Sequence, residues 1–410
     1  LLKRIDVCAF DRELWAYWMD LDVVSGLVGE LPADSMRRLK LARSLQLSLN
    51  AYDDDNRQVT LPAARAVLRD VLGKPAVPTT LHENAIGHAH IDSAYLWPIR
   101  ETRRKVARTV SNVLALMDDD PRFLYAMSSA QQYEWLEQDH PDLFARMKSR
   151  VAQGRFIPVG GMWVEADGMM PCGESLVRQI SFGKRYMREH LGVDPQGIWL
   201  PDSFGYTGAY PQIARRAGYQ WFLTQKISWG DATKFPHHSF IWEGIDGTQI
   251  FTHFPPTDTY AAEVTPRELT YAERNFKDKA IADQALLLYG YGDGGGGPTR
   301  EMVGRIARMH DLEGVPTVEH ATPDEFFAKA RVQIVNQAHG LTVDEIPHWS
   351  GELYLELHRK TLTSQQEMKR GCRTMEGLLR TVEYLGVVAS LKNPDYAYPR
   401  ERLDRVWKTL

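Results

Sequence analysis

Residues 83–101 read "ENAIGHAHIDSAYLWPIRE", which sets His88, His90 and Asp92 at every second position before a run of aromatics and a proline. Side chains alternate along a strand, so this spacing predicts a strand running into a loop with two imidazoles and a carboxylate on one side. Such a donor set suits zinc or a similar divalent ion. A polar strand end whose histidines are only hydrogen-bonded is the other reading of the same pattern.

Outward from this stretch, residues 79–345 alternate short β-rich runs with helical patterns, among them "RFLYAMS", "RFIPVGGMWV", "GIWLP", "WFLTQ", "TQIFTHF" and "ALLLYGYG". The alternation predicts an α/β domain with a largely parallel, barrel-like sheet and surrounding helices. Residues 1–78 read as a helical segment and linker. There "DSMRRLKLARSLQLSLNAYD" has apolar residues at three- and four-residue spacing and is opened by Asp34 or Ser35 as a cap, and the Pro-rich "GKPAVPTTLHEN" closes the region. Residues 346–410 read as the start of a helical bundle. The chain begins without Met and stops in "RERLDRVWKTL" with no helix-ending residue, which leads us to expect a truncated bundle and a piece of a longer protein.

A formal charge of −4 over 410 residues argues against a nucleic-acid partner, because displacing counterions needs a basic surface. Cys8, Cys172 and Cys372 are far apart and form no CxxC, so neither a disulfide framework nor a thiolate metal site is expected, and a cytoplasmic location is. No run of about 18 apolar residues offers a membrane span, and the first residues lack a signal-peptide pattern.

Two further strand ends carry carboxylates. In "GIWLPDSFGYTGAYPQIARRAG" a short apolar strand ends at Pro201 and Asp202 enters the loop, the place where α/β folds bind ligands. Taken alone, Asp202 also reads as a turn or capping aspartate. In "ALLLYGYGDGGGGPTREMVGRIARM" a buried strand meets a glycine-rich turn with Asp293, and Pro298 stands near the first position of the next helix. Gly290, Gly292 and Gly295 match a dinucleotide-binding spacing, but Asp293 would repel a pyrophosphate held there. Glycines that admit a ligand to the backbone beside a projecting aspartate fit better. His237, His238 and His253 read as structural or supporting residues, and the tryptophans as core or as sugar platforms.

Together, "GHAHIDSAYLWPIRET", "QQYEWLEQDHPDLF", "GRFIPVGGMWVEADGMMPCGESLVRQ", "WLPDSFGYTGAYPQI", "LTQKISWGDATKFPHHSFIWEGIDGTQIFTHFPPTDTY" and "GYGDGGGGPT" resemble the glycoside hydrolase family 38 α-mannosidases, in the branch of cytosolic and bacterial enzymes. The resemblance implies a retaining, exo-acting α-mannosidase with one zinc ion, or cobalt or another divalent metal, at the sugar site. By motif position it makes His90, Asp92 and Asp202 metal ligands, Asp202 also the nucleophile, and Asp293 the general acid/base. Tyr95 and Phe204 fall at sugar-contacting positions, and Tyr95 replaces a Trp common in the family. His88 receives no ligand role. The family's remaining ligand histidine falls beyond Leu410, and His358 in "ELHRK" reads as an ordinary helix-start residue rather than its substitute. We therefore expect this chain to bind zinc weakly. The implied partners are α-mannoside glycans or oligosaccharides, with no membrane, and a homo-oligomer of the longer protein is left open. A metal-dependent carbohydrate deacetylase and a non-catalytic mannoside-binding fragment are the rival readings.

Overall fold

The computed structural model describes residues 6–336 and 346–410; residue 345, where the sequence reading closes the α/β region, lies outside them. Twelve strands are present among these residues: β1 His82–His88, β2 Tyr125–Met127, β3 Phe156–Pro158, β4 Gly197–Leu200, β5 Gly205–Tyr206, β6 Trp221–Thr224, β7 Ser239–Glu243, β8 Gln249–His253, β9 Gln284–Tyr289, β10 Thr317–His320, β11 His348–Ser350 and β12 Leu353–Tyr354.

The first sheet is wholly parallel. β9 pairs with β1 from His82 to Gly87, while β10 covers the first half of β1 on its other side and β2 the last two residues, with β3 beyond β2. In the second sheet, ordered β11-β7-β8-β6-β4, β4, β6 and β8 are parallel and β7 runs antiparallel to β8. The ladder does not close into a barrel among the described residues. Where β8 approaches β9, a side chain replaces the ladder: Leu286 N–H donates to His253 Nε2 at 3.2 Å, and His253 Nδ1 lies 2.9 Å from Ser239 Oγ. His253 is thus structural, as its sequence context suggests. Central strands such as β9 are buried on both faces and read as unbroken apolar runs, since helices cover the sheets.

The three N-terminal helices, Arg12–Glu30, Met36–Ala51 and Arg57–Leu72, share the main core with the α/β region rather than standing apart. Ser35, not Asp34, caps the second helix through Arg38 N–H. Asp20 adds a buried ion pair to Arg308 at 2.7 Å. After the sheets, the helices Gln366–Lys392 and Arg400–Thr409 dock through Leu379, Leu403 and Trp407, which join the main core, and through polar contacts: Glu376 accepts from Cys172 N–H and Ser175 Oγ, and Glu383 pairs with Arg178 and accepts from Trp407 Nε1.

Candidate active site

β1 ends at His88, so His90 and Asp92 do not occupy a strand face as the alternation predicts; they lie in the loop that follows. That loop is held in place by Gln132, whose Nε2 donates to Ile91 O at 2.7 Å. The other residues of the site also follow the C-terminal ends of parallel strands. Ser128 leaves β2, Glu165 lies beyond β3, Asp202 beyond β4, Lys226 beyond β6, Tyr260 beyond β8 and Asp293 beyond β9. Parallel strands collect their outgoing loops at one end, which is why residues up to about 200 positions apart meet here.

His90 Nε2 is 3.2 Å from Asp92 Oδ1 and 3.4 Å from Asp202 Oδ2. The second oxygen of Asp202 accepts from Lys226 Nζ and from Tyr260 OH, each at 2.7 Å. On the far side of the ring, Nδ1 is 3.1 Å from Glu165 Oε2 without the alignment of a hydrogen bond, and Glu165 Oε1 accepts from Ser128 Oγ. Burial acts to lower the His90 pKa, but Glu165 first, and then Asp202 and Asp92, outweigh it and raise the pKa well above its ordinary value. Asp202 shifts the other way: burial favours its neutral form, yet His90, Lys226 and Tyr260 hold it well below the usual carboxylate range. The ring is surrounded by carboxylates that call for positive charge.

The donors fit a divalent metal. One ligand atom each from His90, Asp92 and Asp202 lies within 4.8 Å of the other two, and imidazole nitrogen with carboxylate oxygen suits zinc and its neighbours. A second such group joins His88, His90 and Glu165. His88 therefore stands near the centre without facing Asp92 or Asp202. His358 belongs to no such group among the described residues; it sits in a 3₁₀ turn with its ring edge-on to Phe204 at 5.3 Å.

Asp293 reaches the site through its backbone, its N–H donating to His90 O at 2.7 Å. A Cβ at Gly290 would strike His88 O and one at Gly292 would strike His90 O, so these two glycines let one backbone approach another. Asp293 itself has φ +52°, and burial together with Asp92 and Asp202 raises its pKa against the opposing His90 and Lys105. Pro298 precedes Thr299, which caps the helix Arg300–Met309, and so lies outside the first turn.

A cavity of about 1640 Å³ opens beside the centre. Asp92, Glu165 and Phe204 line one end, and it runs on between Arg178 and Trp407 along the two C-terminal helices. Tyr95 stands in the exposed loop, edge-on to Trp97 at 5.6 Å, and does not line the cavity. Sequence reading missed Glu165, Lys226, Tyr260 and Ser128. For Ser128 and Lys226 the only signal was position just past a strand in "AMSS" and "WFLTQK", and Glu165 and Tyr260, deeper in the loops after β3 and β8, lacked even that.

Residues 80–352 match the glycosyl hydrolases family 38 N-terminal domain, and residues 356–410 match the alpha mannosidase middle domain. The chain belongs to glycosyl hydrolase family 38. Its similarity to members of that family extends over its whole length: it is 36% identical over 409 residues to Alpha-mannosidase 2C1 of Homo sapiens, covering 100% of this chain and 38% of that one. It is 42% identical over 407 residues to Alpha-mannosidase G of Dictyostelium discoideum, covering 99% of this chain and 36% of that one. The family 38 chain therefore spans well under half the length of these relatives. An alpha-mannosidase structure from Enterococcus faecalis V583 shares the fold, with a TM-score of 0.67 at 19% identity over 80% of this chain and 38% of that one. No helix of the described residues is long and apolar enough to cross a membrane.

Proposed function

We propose that this chain is the portion of an exo-acting, retaining α-mannosidase that carries the metal centre and both catalytic carboxylates. The observation that supports it most is the convergence of His90, Asp92 and Asp202 on one point, at the strand ends of a family 38 fold. His90, Asp92 and Asp202 would hold zinc, with cobalt or another divalent ion as the alternative. When bound, such an ion supplies an anchor for the vicinal hydroxyls of mannose and steadies charge at the ring.

The chain's own residues divide the remaining work. Lys226 and Tyr260 fix Asp202, and together with His90, the larger influence, they favour its ionised form, as a carboxylate that attacks the anomeric carbon must be. Asp293, whose pKa is pushed upward by burial, is assigned to give a proton to the leaving oxygen. Having given it up, Asp293 takes one from the water that releases the sugar from Asp202. Opposite shifts on two carboxyl groups are what separate a nucleophile from an acid within one site. Phe204, at the cavity mouth, and Tyr95, on the adjacent loop, would contact the sugar, and α-mannoside glycans or oligosaccharides are the substrates. Three cysteines without a disulfide agree with a cytoplasmic setting.

The test is reaction with an aryl α-mannoside and with an activated 5-fluoro mannosyl fluoride. Free α-mannose with a mannosyl adduct on Asp202 by peptide mass spectrometry is the expected result. Inverted product, or an adduct on a different carboxylate, would sink the assignment, and acetate release from an acetylated sugar without mannose would favour a deacetylase.

A further inference from the structure

Behind His90, on the side away from Asp92 and Asp202, three buried atoms converge without hydrogen-bond partners: His88 Nε2, His90 Nδ1 and Glu165 Oε2. His88 Nδ1 lies 3.1 Å from the carbonyl oxygen of Ala126, which can only accept, so Nδ1 carries the hydrogen and Nε2 is a bare acceptor. The Glu165 carboxylate also only accepts, and its other oxygen is already taken by Ser128 Oγ. If His90 Nδ1 were bare as well, three lone pairs would face one another in a pocket closed to water, at the cost of leaving each unsatisfied. A hydrogen on His90 Nδ1 removes one of these lone pairs and sets a donor 3.1 Å from Glu165 Oε2, leaving His88 Nε2 as the one bare acceptor of the three.

We infer that Glu165, anchored by Ser128, is a positioning residue that keeps a hydrogen on His90 Nδ1, so that the opposite nitrogen, Nε2, is the one presented to a metal between Asp92 and Asp202. The inference rests on the metal reading above. A carboxylate behind a metal-binding imidazole fixes ring orientation and makes the ligating nitrogen more basic. The surroundings are built for precision. Ala130 and Gln131 N–H donate to the carbonyls of Met162 and Trp163 at 3.0 and 2.9 Å, and Val164 N–H donates to Gln179 Oε1 at 2.9 Å, clamping the segment that delivers Glu165. Ser129, next to the anchoring serine, takes a left-handed φ of +64° while buried, the kind of local strain that persists where surroundings over-determine a conformation.

The experiment uses protein with ¹⁵N-labelled histidine and a zinc titration against a competing chelator. His90 Nδ1–H should appear as a slowly exchanging proton both without metal and after one equivalent of zinc. Glu165→Ala should lose that protection and about 10–100-fold in zinc affinity, Glu165→Gln should recover part of both as a neutral acceptor, and Ser128→Ala should lose less in the same direction. Should the alanine variant at 165 fail to fold, the Ser128 variant carries the comparison alone. Wild-type zinc affinity in every folded variant, or a His90 whose Nδ1 bears no hydrogen, overturns the inference. A protected Nδ1 hydrogen in a chain that binds no zinc overturns the metal reading while leaving the placement of the hydrogen intact.

Discussion

His90 and His253 are both buried, at 4% and 0% exposure, and both lie at or just beyond the end of a strand, yet they do opposite things. At the junction of the two sheets, His253 has one partner for each nitrogen, both neutral, and burial, with His238 adding to it, holds its pKa well below the ordinary value. At the strand ends, His90 has carboxylates on both sides and its pKa moves upward. Burial is common to the two, so it cannot be what separates them. The neighbours decide: neutral partners turn a buried imidazole into a structural bridge, and an excess of carboxylates turns it into half of an unsatisfied charge centre.

The contrast predicts that substitutions at the strand ends change chemistry, whereas those among the junction histidines change stability. The largest effect should be at Asp202. If Asp202 is the nucleophile as proposed, Asp202→Ala should lower turnover of even an activated aryl mannoside by on the order of 10⁴-fold, because the covalent intermediate is assigned to its carboxylate. Its thermal unfolding midpoint should not fall, and a large fall would blur the contrast. Asp293→Ala should lose about 10²–10⁴-fold on a substrate with a poor leaving group and much less on an activated one. On the proposed role Asp293 acts with its proton on, and its pKa is raised, so the wild-type rate should decline as pH rises through that pKa, and the alanine variant should lack this limb. Equal losses on good and poor leaving groups would remove Asp293 from the role.

The next effect is one of stability. His238 is buried, accepts from Lys277 N–H at 3.0 Å, and burial pushes its pKa down to about 4. A neutral folded imidazole that is free to protonate when unfolded contributes stability above about pH 6.5, and that contribution is lost as pH falls towards about 4. The span from 6.5 to about 4 corresponds to about 3 kcal/mol. His238→Asn keeps an acceptor and removes the titration, so its denaturant-derived stability should vary less with pH across that window by about this amount. An unchanged pH slope would show that His238 is not held neutral. The smallest effect should be at Tyr260. Tyr260→Phe removes one of two donors to Asp202 Oδ1 and should cost about tenfold in kcat/KM, the value of one hydrogen bond to a charged group, without moving the melting temperature.

Some of this architecture is legible from local pattern. The apolar runs that became β4, β6, β8 and β9 stand out because strands covered by helices on both faces need no polar alternation. Asp202 and Asp293 stand out because each follows such a run at once. The alternation in "HAHID" is a weaker guide than it looks: β1 stops at His88, and beyond it His90 meets Asp92 with one nitrogen while His88 lies with Glu165 on the other side of the His90 ring. The glycine run near Asp293 signals a tight approach, but its composition does not say whether a ligand or another backbone is the neighbour.

By itself the sequence determined the α/β alternation, the helical segments on either side, and the family motifs that mark His90, Asp92, Asp202 and Asp293. These features are local, a matter of which side chains stand within a few residues of one another. Only the tertiary structure decided that Glu165 stands behind His90, that Lys226 and Tyr260 share one oxygen of Asp202, and that His253 bridges two sheets that do not close. Each of those contacts joins loops or strands from different strand–helix units, whose meeting depends on how parallel strands align side by side, and no short stretch of chain contains that information.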